Sequence, residues 1–293
     1  MKIRKSFGEK LFDIINAIIL ILLSLVTLYP FIYVILASVS ESNLLAIHTG
    51  ILVKPLGFST LAYETVFDNE EIWSGYGNTL YYVVVGTALN IFMTALGAYV
   101  TSKKYFFWNK VLLPMIVFTM FFGGGLIPTF LLVKSLGLYN TSWAIILPGV
   151  ISTWNMFIMK TSFSSIPDSI EESARIDGAN EMIILFRIVV PLSLSTIAVM
   201  VLYYGVGHWN SWFSHLIYLK DRDRFPLQLF LREILISNSA MDLATEAGDI
   251  EKQSVAETIQ YATIMVATVP VLCIYPFLQK YFVKGVMIGS VKG

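Results

Sequence analysis

The stretch IEESARIDGANEMIILFRIVVPL, Ile170 to Leu192, changes character halfway along. Its first part carries Glu171, Glu172, Arg175, Asp177 and Glu181, and in its second part only Arg187 interrupts an apolar run. Pro167 precedes Asp168 and Glu171 follows three residues later, which predicts a helix start with Asp168 as N-cap and an acid in the first turn. Glu171 and Arg175 are spaced i, i+4 in the favourable order. Gly178 can adopt the backbone conformation that ends a helix. A second helical stretch is expected to start near Asn180, with Met182, Ile183, Leu185 and Phe186 leading to Pro191. The pattern therefore predicts helix, glycine turn, helix, with charges on one side. By physics alone it could equally be an interfacial amphipathic helix that closes a loop.

The surroundings decide which solvent this segment faces. The 293 residues are 56% hydrophobic and only 14% charged, against about 25% charged in ordinary soluble domains. Mean hydropathy is +0.70. The chain is too apolar for a soluble fold, and several runs exceed the roughly 18 residues that can cross a bilayer. An all-α integral membrane protein is the expected class. The formal net charge is zero and no basic stripe occurs, which argues against a nucleic-acid partner. Cys273 is the sole cysteine, so no intramolecular disulfide can form, and it is expected to be a small buried hydrophobe. His208 and His215 lack a third ligand at metal spacing, so no metal site is expected.

Six spans are expected, at about 14–39, 77–101, 109–133, 142–163, 188–219 and 258–283. The first is too long for the core of a signal peptide and is read as a retained span. With the N-terminus inside, 13 of the 20 Lys and Arg residues fall on the inner side, among them Lys103, Lys104 and Lys110 between spans two and three. The positive-inside rule then favours both termini in the cytoplasm. The expected organisation is a cytoplasmic N-terminus at 1–13, a membrane domain at 14–283 and a cytoplasmic tail at 284–293. The charged loop at 167–187 is cytoplasmic, and a long polar loop at 220–257 faces outward, where a connection of this length is usually functional or disordered. Pro114, Gly123 to Gly125, Pro128, Pro148 and Pro191 interrupt the spans, which suits either ordinary kinks or a bundle that lines a path and moves.

GHWNSWF, Gly207 to Phe213, places His208, Trp209, Asn210 and Trp212 in the expected fifth span. Aromatic faces and amides suit sugar rings and hydroxyls; tryptophan here also suits packing or interface anchoring.

The segment ESARIDGANEMIILFRIVVPL resembles the coupling loop of ATP-binding-cassette (ABC) importer permeases. The family's Glu-Ala-Ala triplet corresponds to Glu172, Ser173 and Ala174, its turn glycine to Gly178, and its Ile-x-Leu-Pro ending to Ile188 through Pro191. Ser173 and Val190 depart from the commoner Ala and Leu. FSSIPDSIEESARIDGA from Phe163, GNTLYY from Gly77, GGLIPTFLL from Gly124, WNSW from Trp209, PLQLFL from Pro226 and the terminal QKYFVKGVMIGSVKG are similar to the carbohydrate-uptake branch, of the type of the second maltose permease. They also resemble the branch that serves oligosaccharides derived from complex polysaccharides.

This resemblance implies the type I importer permease fold and half of a translocation path for a sugar or oligosaccharide. It implies a heterodimer with a related permease, two cytoplasmic ATPase subunits, and an extracytoplasmic sugar-binding protein that meets the 220–257 loop. Asp168, Glu171, Glu172, Ser173, Ala174, Arg175, Asp177 and Gly178 would form the ATPase-coupling element. Gly289, Ser290 and Lys292 in the tail would reach the ATPases, although a basic terminus lying on anionic lipid fits that segment too. No Gly-x4-Gly-Lys-[Ser/Thr] phosphate loop occurs, so no catalytic residue or cofactor is assigned to this chain, and ATP and Mg are expected in the partner ATPases. The rival class, an ATPase-independent carrier or channel, would need ionisable groups within its spans. Span two has none, and within these bounds spans three and six have only Lys110 and Lys280, close to their ends.

Overall fold

The computed structural model describes residues 6–244 and 250–290, and among these no strand occurs. The principal helices are α1 (Phe7–Ser38), α2 (Glu70–Ser102), α3 (Asn109–Phe121), α4 (Leu126–Ser135), α5 (Thr153–Ser164), α6 (Asp168–Ile176), α7 (Glu181–Leu192), α8 (Leu194–Trp209), α9 (Leu227–Ala244) and α10 (Ile250–Ser290). They group into two units, one of residues up to Asn69 with Leu231–Val269, the other of Glu70–Phe230 with the chain from Pro270.

In the first unit, α1 begins where Ser6 donates its N–H to the Glu9 carboxylate at 2.7 Å, satisfying an otherwise orphaned donor. Its 32 residues span about 48 Å at 1.5 Å per residue, ample for a bilayer. Within its most apolar window none of its residues is buried inside the chain. Among the described residues its end packs: Ala37 joins Leu45 and Leu52 in a small core flanked by Tyr33 and Tyr261. The Leu52 N–H donates to the Tyr29 hydroxyl at 2.9 Å, fixing the chain after the short helix Ser42–Ala46.

The second unit has a larger core. Ala95 and Ala98 on α2 let α5 approach closely, so that Met156, Met159 and Phe163 pack against them; Ile184, Leu185 and Val189 of α7 and Met200 and Tyr204 of α8 complete the cluster. Small residues serve this purpose in membrane bundles because lipid supplies no drive to bring helices together.

Three helices, α1, α2 and Val255–Ile274, are long and apolar enough to cross a membrane, and two bent pairs raise that number to five among the described residues. The expected 109–133 span is α3 and α4 meeting at 113°, with Gly125 at φ +83° between them. The expected 188–219 span is likewise bent, by 87° between α7 and α8. It stops at Trp209, where Asn210 caps the helix, so Asn210 and Trp212 lie beyond it. The 142–163 stretch is not one helix: Trp143–Ile146 and α5 are separated by a turn that contains Pro148 and Gly149. The expected outer loop is largely helical, because α9 fills Leu227–Ala244, and Phe225, Leu227, Leu229 and Phe230 are buried. Leu227 donates its N–H to the Thr79 hydroxyl of α2 at 2.9 Å. Residues 245–249 of that loop lie outside the described residues. Cys273, expected to be buried, is exposed, as are its neighbours Leu272 and Ile274.

The break before α5 leaves backbone carbonyls without helical partners, and Asn90 of α2 supplies them. Its side-chain amide donates to Gly149 O at 3.0 Å and to Val150 O at 2.8 Å. Replacing Asn90 by Ala is expected to cost about 1–3 kcal/mol by leaving both carbonyls unpaired, seen as a lower midpoint in thermal unfolding of the detergent-purified protein.

Candidate functional site

The charged loop forms the helix, turn and helix that its spacing predicts. Pro167, not Asp168, is the N-cap of α6; Asp168 is the first helical residue, and its carboxylate meets Lys104 at 3.1 Å in an exposed pair. An acid at that position also complements the positive end of the helix dipole. At the other end Gly178 takes φ +85°. Its N–H donates to Arg175 O at 3.0 Å, and the Ala179 N–H donates to Ala174 O at 2.9 Å. These two bonds satisfy the last carbonyls of α6 in a Schellman arrangement. Asn180 then caps α7, its side chain accepting from the Ile183 N–H at 2.9 Å. No atom would obstruct a Cβ on Gly178, so backbone conformation alone demands glycine there.

The loop has a buried base and an exposed tip. Glu171 and Ala174 face inward; Glu172, Ser173, Ile176, Asp177 and Gly178 are exposed. Ile176 is 86% exposed, an apolar side chain displayed between charges. Ser173, in place of the commoner small apolar residue, turns its hydroxyl to Ser169 O at 2.8 Å and so leaves no unpaired donor.

Sequence reasoning missed what holds the base. Lys103, just beyond α2, forms an ion pair with Glu171, and the two residues are only 8% and 7% exposed. The Lys103 ammonium also lies 3.9 Å above the centroid of the Tyr99 ring. Arg175 reaches Glu171 at 3.5 Å and Glu181 at 2.9 Å, and donates to the Tyr105 hydroxyl at 2.9 Å. Tyr99 donates to the second oxygen of Glu181 at 2.5 Å. Burial and the nearby carboxylates push the Tyr105 phenol above its ordinary pKa, so it remains a neutral acceptor for Arg175. Lys103 counted only toward membrane orientation in the sequence, because its partner lies 68 residues away.

A second polar group lies in the same unit. His208 Nε2 is 2.7 Å from Asn90 Oδ1, and this approach requires Gly86, where a Cβ would come within 2.5 Å of the imidazole. The Tyr204 hydroxyl meets Thr94 at 2.7 Å and accepts from the Ser152 N–H at 3.0 Å. Asn90, Tyr204, His208, Ser211 and Ser214 line a cavity of about 210 Å³. Of the four residues expected on the path, His208 alone lines it. Trp209 is buried, with Tyr76 at 6.3 Å, and Trp212 packs edge-on against Phe213 at 5.4 Å. Gly289 and Ser290 end α10, and Lys292 lies outside the described residues.

Residues 93–288 match the family of binding-protein-dependent transport system inner membrane components. The chain belongs to this family. It is 42% identical over 290 residues to the polygalacturonan/rhamnogalacturonan transport system permease protein YtcP of Bacillus subtilis, covering 97% of this chain and 99% of that one. It is 41% identical over 286 residues to protein LplC of the same organism, covering 97% of this chain and 96% of that one. The fold matches a chain of a bacterial ABC transporter involved in the import of the acidic polysaccharide alginate, with a TM-score of 0.86 and 32% identity over 96% of this chain and 100% of that one. The protein is thus a multi-pass permease subunit of a binding-protein-dependent ABC importer, a transporter component and not an enzyme. Such permeases work with a second permease, ATPase subunits and a binding protein.

The turn generates its own prediction. Gly178→Ala is expected to cost about 1–2 kcal/mol, the penalty for a Cβ in the left-handed region, and Gly178→Asn less. Thermal unfolding of the purified variants measures the difference.

Proposed function

We propose that this permease imports acidic oligosaccharides and that the 167–187 loop receives the movement of the ATPases. The observation that carries the coupling role is the exposed tip on a buried ionic base. Ile176 is 86% exposed, and an isoleucine displayed beside Glu172, Asp177 and Gly178 suits insertion into a partner's groove. Arg175 and Ser173 flank the contact, while Glu171 and Ala174 hold the helix from below.

Two ATPase subunits bind ATP and Mg, and the tail through Gly289, Ser290 and Lys292 reaches between them. A related permease completes a heterodimer, and the sugar-binding protein docks on the 220–257 segment. The chain crosses the membrane six times with both termini in the cytoplasm. The fourth crossing is Trp143–Ile146 and α5 together, its break stabilised by Asn90. His208 lines the path, and Trp209, Asn210 and Trp212 follow at the end of α8. The acidic cargo is supported by two relatives whose names specify polygalacturonan and alginate, both polymers of uronic acids.

The test is reconstitution of the complete importer in proteoliposomes, supplied with galacturonate oligomers, alginate oligomers or maltotriose. Acidic oligomers are expected to stimulate ATP hydrolysis and maltotriose to leave it at the basal rate. Ile176→Asp is expected to weaken ATPase association by about tenfold or more, since burying an isoleucine is worth about 1.5–3 kcal/mol. Unchanged association in that variant rejects the loop as the docking element, and sugar uptake without ATP rejects the importer mechanism.

A further inference from the structure

The covalent chain joins the loop to α5 and α7, yet its buried side chains are anchored elsewhere. Glu171 of α6 pairs with Lys103, and Glu181 of α7 accepts from Tyr99; Tyr99 lies in the last turn of α2 and Lys103 is its C-cap. Lys103 is itself fixed in the backbone, its carbonyl accepting from the Asn109 side-chain amide at 2.7 Å. Arg175 closes the arrangement by bridging Glu171 and Glu181. Beneath these charges Tyr99, Phe163, Ala174, Ile184 and Leu185 share one core, so the loop cannot shift against α2 without uncovering apolar surface and separating buried charges.

From Lys103 to Asn90 along α2 is 13 residues of sequence, about 20 Å at helical rise. At that far position Asn90 holds the helix break before α5 and His208 of α8, and Thr94 holds Tyr204. One continuous helix thus ties the loop to the side chains that line the 210 Å³ cavity.

We propose that Lys103 and Tyr99 are positioning residues that carry load from the loop into α2, which acts as a rod between the ATPase contact and the polar wall of the path. This rests on the coupling role given to the loop above. The rod adds a second route to the covalent one through α5 and α7, and it ends on the residues that a passing sugar meets.

The experiment uses the complete importer in proteoliposomes, with galacturonate oligomers as cargo, and measures sugar transported per ATP hydrolysed. The double variant Lys103→Met with Glu171→Gln removes the pair without leaving an uncompensated buried charge. With assembly with the ATPases measured alongside, it is expected to lower the transport-to-hydrolysis ratio at least about fivefold, the lower end of typical coupling between sites. Tyr99→Phe, which removes a single hydroxyl, is expected to lower the ratio in the same direction; it decides the matter alone if the double variant fails to assemble. Native ratios in the assembled variants overturn the proposal and make the cluster a packing feature. Gly178→Asp separates the two ideas. If it uncouples while the cluster variants do not, only the rod fails; if it leaves coupling unchanged, the coupling role of the loop fails first.

Discussion

Lys103 and Glu171 leave water together, and the geometry of the 167–187 loop depends on that. Taking each charge out of water costs several kcal/mol, recovered only where the partner and further hydrogen bonds are in place. Here the ammonium has a carboxylate on one side and the face of Tyr99 on another. Arg175 contacts the same carboxylate, then Glu181 and Tyr105. Each group is stabilised by the next, so the register of α6 and α7 against the end of α2 is set by electrostatics as well as by apolar packing. The exposed pair of Lys104 and Asp168 contributes far less, because solvent screens it.

The same logic operates deeper in the bundle with neutral groups. Where helices break in an apolar surrounding, their carbonyls and amides must find side-chain partners. Asn90 and Tyr204 perform that task at the interruption before α5, and Gly86 provides the room in which His208 can join them. The break before α5 therefore coincides with the polar interior. A bundle of straight helices would have needed neither the asparagine nor the cavity it lines.

Much of this was legible in the sequence, for identifiable reasons. The loop was readable because its determinants are local: Gly178 ends one helix and Asn180 caps the next within three residues. Its N-cap was misassigned by one position because Pro167 fits that role with its own fixed φ. Apolar runs point to helices long and apolar enough to cross a membrane, but a hydropathy window sums composition and does not give the 113° bend at a glycine with φ +83°. The segment after Lys220 read as a loop because its charges dominate, whereas Phe225, Leu227 and Phe230 bury enough to fold it. The ionic cluster was illegible because Tyr99, Lys103, Glu171 and Glu181 belong to elements far apart in sequence. Among the suggested path residues, hydropathy places His208, Trp209, Asn210 and Trp212 within one span, and the end of α8 divides them.

Helix α1 turns its apolar side chains outward over most of its length. A side chain that meets no neighbour in its own chain has no shape to match, so Leu, Ile, Val and Phe are interchangeable there as far as internal packing is concerned. The helix is thus free to drift in sequence in step with whatever surface surrounds it, lipid or protein. The ionic loop and the polar seam, locked to their neighbours, have no such freedom, and a lineage could adapt this permease to a new membrane or a new companion by rewriting α1 alone.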